Sequence, residues 1–167
     1  MTEFEQVYRD CFADVYRYIR RLSGDAQTAE EITSETFCRA MRAMDHFRGD
    51  CDVRVWLCQI AKNCYYAQQK KHARCASTED EALQAVADPQ AGPDEQVARQ
   101  ETARQLRQLL HTLPEPYKEV FLWRVFAELS FRQIGQIFGK TDNWACVTYH
   151  RARAMLKQRM EECDRET

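Results

Sequence analysis

Residues 140–153 read KTDNWACVTYHRAR. Thr141 is of the residue type that caps a helix, and Asp142 falls in the first turn, where an anion suits the helix dipole. The segment ends in cations. Its outward side is expected to carry the Asn143 amide, the Cys146 thiol, the Thr148 hydroxyl, the His150 imidazole and the guanidiniums of Arg151 and Arg153. A helix that only has to stay in solution shows mostly Glu and Lys. This one offers a mixed set of donors and acceptors, and amide, hydroxyl and guanidinium groups are those that read base edges in a major groove. Arg151, Arg153, Lys157 and Arg159 are placed to hold phosphates.

Such a helix needs a platform, and the residues just before it supply one. In LSFRQIGQIFG, residues 129–139, Ser130 and Gln133 have capping-box spacing. Ile134, Ile137 and Phe138 are expected inward, and Gly139 ends the helix as a left-handed cap. A short helix, a tight turn at glycine and a second helix with polar and basic exposed positions form a helix-turn-helix pattern. The plainer alternative is a surface helix in an ordinary helical bundle.

The whole chain is compatible with this. Its 167 residues suffice for one ordinary domain or two small ones. Five Gly and four Pro favour helices over turn-rich β structure, and no apolar run is long enough to span a bilayer. The start, MTEFEQVYRD, is acidic and lacks the apolar stretch of a signal peptide, so a cytoplasmic location is expected. The eight cysteines form no CxxC pair and no Cys–His cluster at zinc spacing, so they are read as free thiols, several acting as small hydrophobes. No glycine-rich phosphate loop and no Ser-His-Asp arrangement is found, so no catalytic residue, metal or cofactor is expected.

Net charge is −2, which argues against a nucleic-acid binder until its distribution is examined. Residues 53–75 hold five Lys or Arg and no acid, and residues 140–160 hold five Lys or Arg and one acid. Between them, residues 76–101 hold seven acids and one Arg. Two basic segments flank an acidic one.

The expected architecture is all-α: two small helical domains joined by a flexible linker, the second with a helix-turn-helix. In the first, Phe4, Val7, Tyr8, Cys11, Phe12, Val15, Ile19 and Leu22 mark an amphipathic helix broken at residues 23–25. A second helix is expected to start near Thr28, with Thr28 and Glu31 as a capping box and Ile32, Phe37, Ala40, Met41 and Met44 inward. After a polar loop, a third helix carries Val53, Trp56, Leu57, Ile60, Ala61 and Cys64 on its apolar stripe. Residues 76–95, with Ser77-Thr78, Asp88-Pro89 and Gly92-Pro93, read as the linker. In the second domain Leu106, Leu109, Leu110 and Leu113 form one stripe. Pro114 and Pro116 stop that helix and start the next, which uses Val120, Phe121, Val125 and Phe126.

Two stretches together resemble a known family. One is AEEITSETFCRAMRAMDHFRGD (residues 29–50) followed by VRVWLCQIAKN (53–63). The other runs from Leu113-Pro114 through LSFRQIG to HRAR (150–153). They resemble the bacterial RNA polymerase sigma factors of the extracytoplasmic function (ECF) group, over nearly the whole chain and in the right order around a linker. The resemblance implies a dissociable polymerase subunit that is not an enzyme. Residues 1–75 would bind the polymerase core and the −10 promoter element, and residues 96–167 would bind the −35 element. Its partners would be core polymerase, promoter DNA and an anti-sigma factor, the last soluble or membrane-anchored, with no insertion of this chain into a membrane.

Residue by residue, Glu31, Ser34, Glu35 and Phe37 match the family's core-binding helix. Phe47, Arg48, Gly49 and Asp50 match the loop that holds a flipped −10 base, and Asn63 matches the position whose amide contacts that base. Opening DNA costs a few kcal/mol per unstacked base, which stacking and edge hydrogen bonds must offset. Arg54, Lys62, Tyr66, Lys70 and Lys71 would supply cations and an aromatic beside it, whereas Trp56 is expected in the core. Arg132, Thr141, Asn143, Trp144, Cys146, Val147, Thr148, His150, Arg151, Arg153 and Lys157 match the −35 reader. Cys146 departs from the pattern. The family has Arg or Lys there, and a thiol cannot make the bidentate contact to guanine. Two other functions compete: a stand-alone helix-turn-helix regulator, which needs neither the acidic helix nor the FRGD loop, and a sigma-like adaptor that binds polymerase or an anti-sigma factor without reading a promoter.

Overall fold

A computed structural model describes residues 2–75 and 93–166. The linker expectation falls on residues of which 76–92 lie outside the described ones. The chain divides into two compact units, one on each side of that segment.

The first unit is built from three helices, α1 (Glu3–Ser23), α2 (Ala26–Ala43) and α3 (Val53–Cys75), which pack pairwise. Helix α1 opens with a full capping box: the Glu5 N–H donates to Thr2 Oγ1 at 3.2 Å and the Thr2 N–H donates to Glu5 Oε2 at 3.0 Å. It closes on Gly24 in the left-handed region at φ 74°. Helix α2 begins two residues before the expected start. Asp25, not Thr28, is the cap, accepting from the Thr28 N–H at 3.0 Å and the Thr28 hydroxyl at 2.6 Å. Asp beats Thr here because its carboxylate accepts both bonds at once. Those bonds also hold the Asp25 carboxyl below its ordinary pKa, the Thr28 hydroxyl contributing most.

The core lies where the three helices meet. It holds Val15, Tyr18, Ile19 and Leu22 of α1, Ala29, Ile32, Phe37 and Ala40 of α2, and Val55, Leu57, Cys58 and Ala61 of α3. Two threonines are buried with them. The Thr33 and Thr36 hydroxyls donate to the carbonyls of Ala29 and Ile32 at 2.6 and 2.7 Å, so neither is left unsatisfied. Burial pushes the Cys58 thiol up to about 12. Met41, expected inward, is 58% exposed.

The second unit comprises α4 (Pro93–Thr112), α5 (Tyr117–Val125), α6 (Phe131–Phe138) and α7 (Asp142–Glu166). Pro114 and Pro116 fall between α4 and α5, as expected. Leu110, Val120, Phe121, Trp123, Leu129, Ile134, Ala145, Ala152 and Leu156 form the core. Trp123 is fully buried, and its indole N–H donates to Glu119 Oε1 at 3.2 Å. The Ser130–Gln133 capping box is present, with both bonds at 3.1 Å or less. Gly139 caps α6 at φ 67°, and α7 starts after it with the Trp144 N–H donating to Thr141 Oγ1 at 3.0 Å. A single three-residue turn, Gly139 to Thr141, thus joins α6 to α7.

Candidate nucleic-acid and polymerase interfaces

In the first unit, Glu31, Ser34 and Glu35 are exposed on α2. Residues three and four apart share a helix face, so the three form one polar patch. It is not a bare acidic surface. Glu31 accepts from Gln27 Nε2 at 3.3 Å and from Gln68 Nε2 of α3 at 3.2 Å. Glu35 pairs with Arg39 at 2.8 Å, and Cys38 beside them is exposed. The i,i+4 spacing of Glu35 and Arg39 was visible in the sequence. The Gln68 contact is set by how α3 packs on α2, and nothing local signals it.

Phe37 does not belong to this patch. It is 3% exposed, with ring centroids 5.0 Å from Tyr8, 5.7 Å from Phe12 and 6.5 Å from Phe4. The expectation that Phe37 meets a partner is corrected: it pins α2 against α1, because its face of the helix turns toward the aromatic stripe of α1.

The loop before α3 places Arg48, Gly49 and Asp50 in solvent, with Gly49 at φ 74°. Phe47 is half-buried with its ring 4.8 Å from Trp56. Trp56 was expected in the core, but it stands half-exposed at the core's edge and carries the loop. Heptad spacing puts Trp56, Asn63 and Lys70 on one stripe of α3, flanked by Lys62 and Tyr66. Asn63, Lys70 and Lys71 are exposed, and Lys62 and Tyr66 half-exposed. Tyr66 lies edge-on to Tyr65 with centroids 5.4 Å apart. The result is a stripe with an amide, an aromatic and cations, whose N-terminal end carries the Phe47–Trp56 ring contact.

Arg54 is turned away from this set. It is half-buried and pairs with Asp14 of α1 at 3.8 Å, while its own N–H donates to Asp52 Oδ1 at 2.9 Å. In this structure Arg54 thus ties α1 to α3 and is not brought onto the stripe of Trp56, Asn63 and Lys70.

In the second unit, the side of α7 that looks away from α5 and α6 shows Asn143, Val147, His150 and Arg151, with Arg153 and Lys157 beside them, all exposed. Thr141 and Arg132 are exposed near the turn. Cys146 is half-buried. Trp144 is half-buried against Phe138, with centroids 5.3 Å apart. His150 is held by Tyr149 at 5.3 Å and Phe131 at 6.4 Å between centroids. Thr148 is 5% exposed. Its hydroxyl is corrected from a reading group to a core group, since it shares the inward stripe with Ala145, Ala152 and Leu156. Arg159 also leaves the phosphate set, donating instead to Thr112 Oγ1 at the end of α4.

Two family models match these units. Sigma-70 region 2 matches residues 7–75 and Sigma-70 region 4 matches residues 103–156, so the helices with the α3 stripe and the helix-turn-helix are each matched. The chain is a sigma factor of the ECF group. It resembles the RNA polymerase sigma factor YlaC of Bacillus subtilis at 29% identity, covering 97% of this chain and 94% of that protein. The ECF RNA polymerase sigma factor SigM of the same bacterium is 27% identical, covering 92% of each. Among solved structures, the sigma factor RpoE of Bartonella quintana, crystallised with the anti-sigma factor NepR, shares the fold. Its TM-score is 0.65 at 19% identity, over 96% of this chain and 98% of that one. As a sigma factor the chain serves RNA polymerase in promoter-directed initiation. Among the described residues no helix is long and apolar enough to cross a membrane.

Proposed function

We propose that this sigma factor divides its work between its two units at the surfaces described above. The patch of Glu31, Ser34 and Glu35 docks on core polymerase. The loop of Phe47, Arg48, Gly49 and Asp50, with Asn63, Lys62, Tyr66, Lys70 and Lys71, captures the opened −10 strand. Asn143, Val147 and His150 of α7 face the −35 bases, while Arg132, Arg151, Arg153 and Lys157 hold flanking phosphates. On this reading residues 1–75 and 93–167 are the working domains, the second starting with α4 a few residues before the expected 96, and the segment between them is the tether. The protein acts by binding, without chemistry of its own, in the cytoplasm. One neighbour of the same fold was crystallised with the anti-sigma factor NepR, and another is in complex with the cytosolic domain of CnrY, which supports an anti-sigma partner here too.

One observation carries this reading. Trp56, Asn63 and Lys70 share a stripe of α3, and the Phe47 ring lies tilted against Trp56 at its head, centroids 4.8 Å apart. A duplex binder has no need of an exposed amide on the same stripe as a ring-held loop, whereas a flipped base needs both edge bonds and a platform. The test is transcription from the protein's own upstream region with sigma-free core polymerase. Discrete transcripts are expected from the wild type. Asn63→Ala should keep binding duplex promoter yet fail to open it, read by permanganate reactivity of the −10 thymines. Full opening by that variant would sink the assignment.

A further inference from the structure

We propose that α7 reads an adenine–thymine step in the −35 element, with the Asn143 amide on the adenine and Val147 packed on the C5 methyl of a thymine. This rests on the reading of α7 as the −35 helix and adds which bases it prefers.

Residues 142–149, the first two turns of α7, contain no Lys or Arg. Those turns are the part of a recognition helix that reaches base edges, and the commonest specific contact there is a cation on guanine. Among the remaining polar groups, the exposed Asp142 carboxylate is engaged at the helix start, where it accepts from the Asn143 N–H at 2.9 Å. The Thr148 hydroxyl is buried at 5% exposure, and Cys146 is half-buried with only a weak donor. The Trp144 ring is committed to Phe138. Asn143 keeps an exposed amide, which pairs with adenine through N6 and N7.

Val147 is the second feature. At 39% exposed it is a large apolar side chain standing on a polar face. A single exposed apolar residue means little by itself. Its place is what counts. It lies one turn beyond Asn143 on the same stripe, with His150 and Arg151 beyond it. Four residues of helix span about 6 Å, and base pairs rise about 3.4 Å, so Asn143 and Val147 address base pairs one or two steps apart. The thymine methyl is the apolar feature of the major groove that a branched aliphatic side chain can cover. Arg151 and Arg153 come in the third turn, where the helix leaves the bases for the backbone.

The experiment uses the full chain with core polymerase. Duplexes with a randomised −35 region are selected by the holoenzyme and sequenced. The selected duplex is then remade with uracil for each −35 thymine, which deletes only the C5 methyl, and both duplexes are titrated with wild type, Val147→Ala and Asn143→Ala. Two neighbouring A·T pairs should be enriched. Uracil should weaken wild-type binding about fourfold per covered methyl, as expected for one methyl-sized group. Val147→Ala should bind both duplexes equally, and Asn143→Ala should lose the adenine preference. Enrichment of G·C at those positions, no effect of uracil, or a uracil effect that survives in Val147→Ala would each overturn the inference while leaving α7 as the −35 reader. Failure to enrich any −35 sequence would overturn both.

Discussion

Gly135 of α6 and Thr141 of the turn meet backbone to backbone: a Cβ placed on Gly135 would lie 2.8 Å from the Thr141 carbonyl oxygen. It would lie equally close to the Lys140 carbonyl oxygen, while the Lys140 N–H donates to the Gly135 carbonyl at 2.8 Å. The absence of a side chain at Gly135 is therefore what lets the turn fold back tightly enough to set α7 across α6.

Gly135→Ala should loosen that junction. The obstacle is backbone on both sides, so neither can swing away, and overpacking of this kind costs about 1–3 kcal/mol. Hydrogen exchange should rise across the amides of α5–α7 and stay unchanged in α1–α3. Binding to a −35 duplex should weaken in parallel. Wild-type exchange in α6 and α7 would contradict the account.

Glu35 and Phe37 lie two residues apart and should fail in opposite ways. Glu35→Lys places a cation on the exposed patch beside Arg39. It should leave thermal unfolding nearly unchanged and lower affinity for core polymerase roughly tenfold or more, the scale of a disrupted charge pair. Phe37→Ala empties the α1–α2 aromatic cluster and should cost the first unit about 3–5 kcal/mol. Calorimetry and core-binding titrations on the two variants separate these effects. A stable Phe37→Ala protein with weakened core binding would return Phe37 to the interface.

Salt dependence tests the cations of α3. Lys70→Ala should reduce the slope of log affinity against log salt by about 1 for a −10 DNA fork, the loss expected for one phosphate contact. Arg54→Met should leave that slope alone and lower the stability of the first unit by about 1 kcal/mol or less, because its pair with Asp14 is partly solvated. A slope change in Arg54→Met equal to that in Lys70→Ala would show that Arg54 reaches DNA.

The thiols should divide by burial. Alkylation requires the thiolate, and Cys58 is both buried and pushed up to about 12 by that burial. Burial raises Cys11 and Cys64 as well. At pH 8 iodoacetamide should label Cys38 within minutes and leave Cys58 unmodified until urea unfolds the first unit. Peptide mass spectrometry reads both. Rapid native labelling of Cys58 would mean that α3 opens far more readily than its packing implies.

Much of this was legible without coordinates, and for a local reason. The Ser130–Gln133 box, the Gly139 cap, the Pro114–Pro116 break and the α1 stripe depend on residues three or four apart, and the helix repeat alone brings those together. The sequence by itself therefore determined the elements, their order, the helix-turn-helix and the family. What it could not decide was the rotation of each helix against its neighbours. That rotation buries Phe37 and Thr148, turns Arg54 to Asp14, leaves Met41 in solvent and brings Gln68 to Glu31. Each outcome depends on side chains distant in the chain, whose packing is a property of the assembled bundle. Tertiary structure thus fixed which residues of a correctly read helix stay exposed and which are buried.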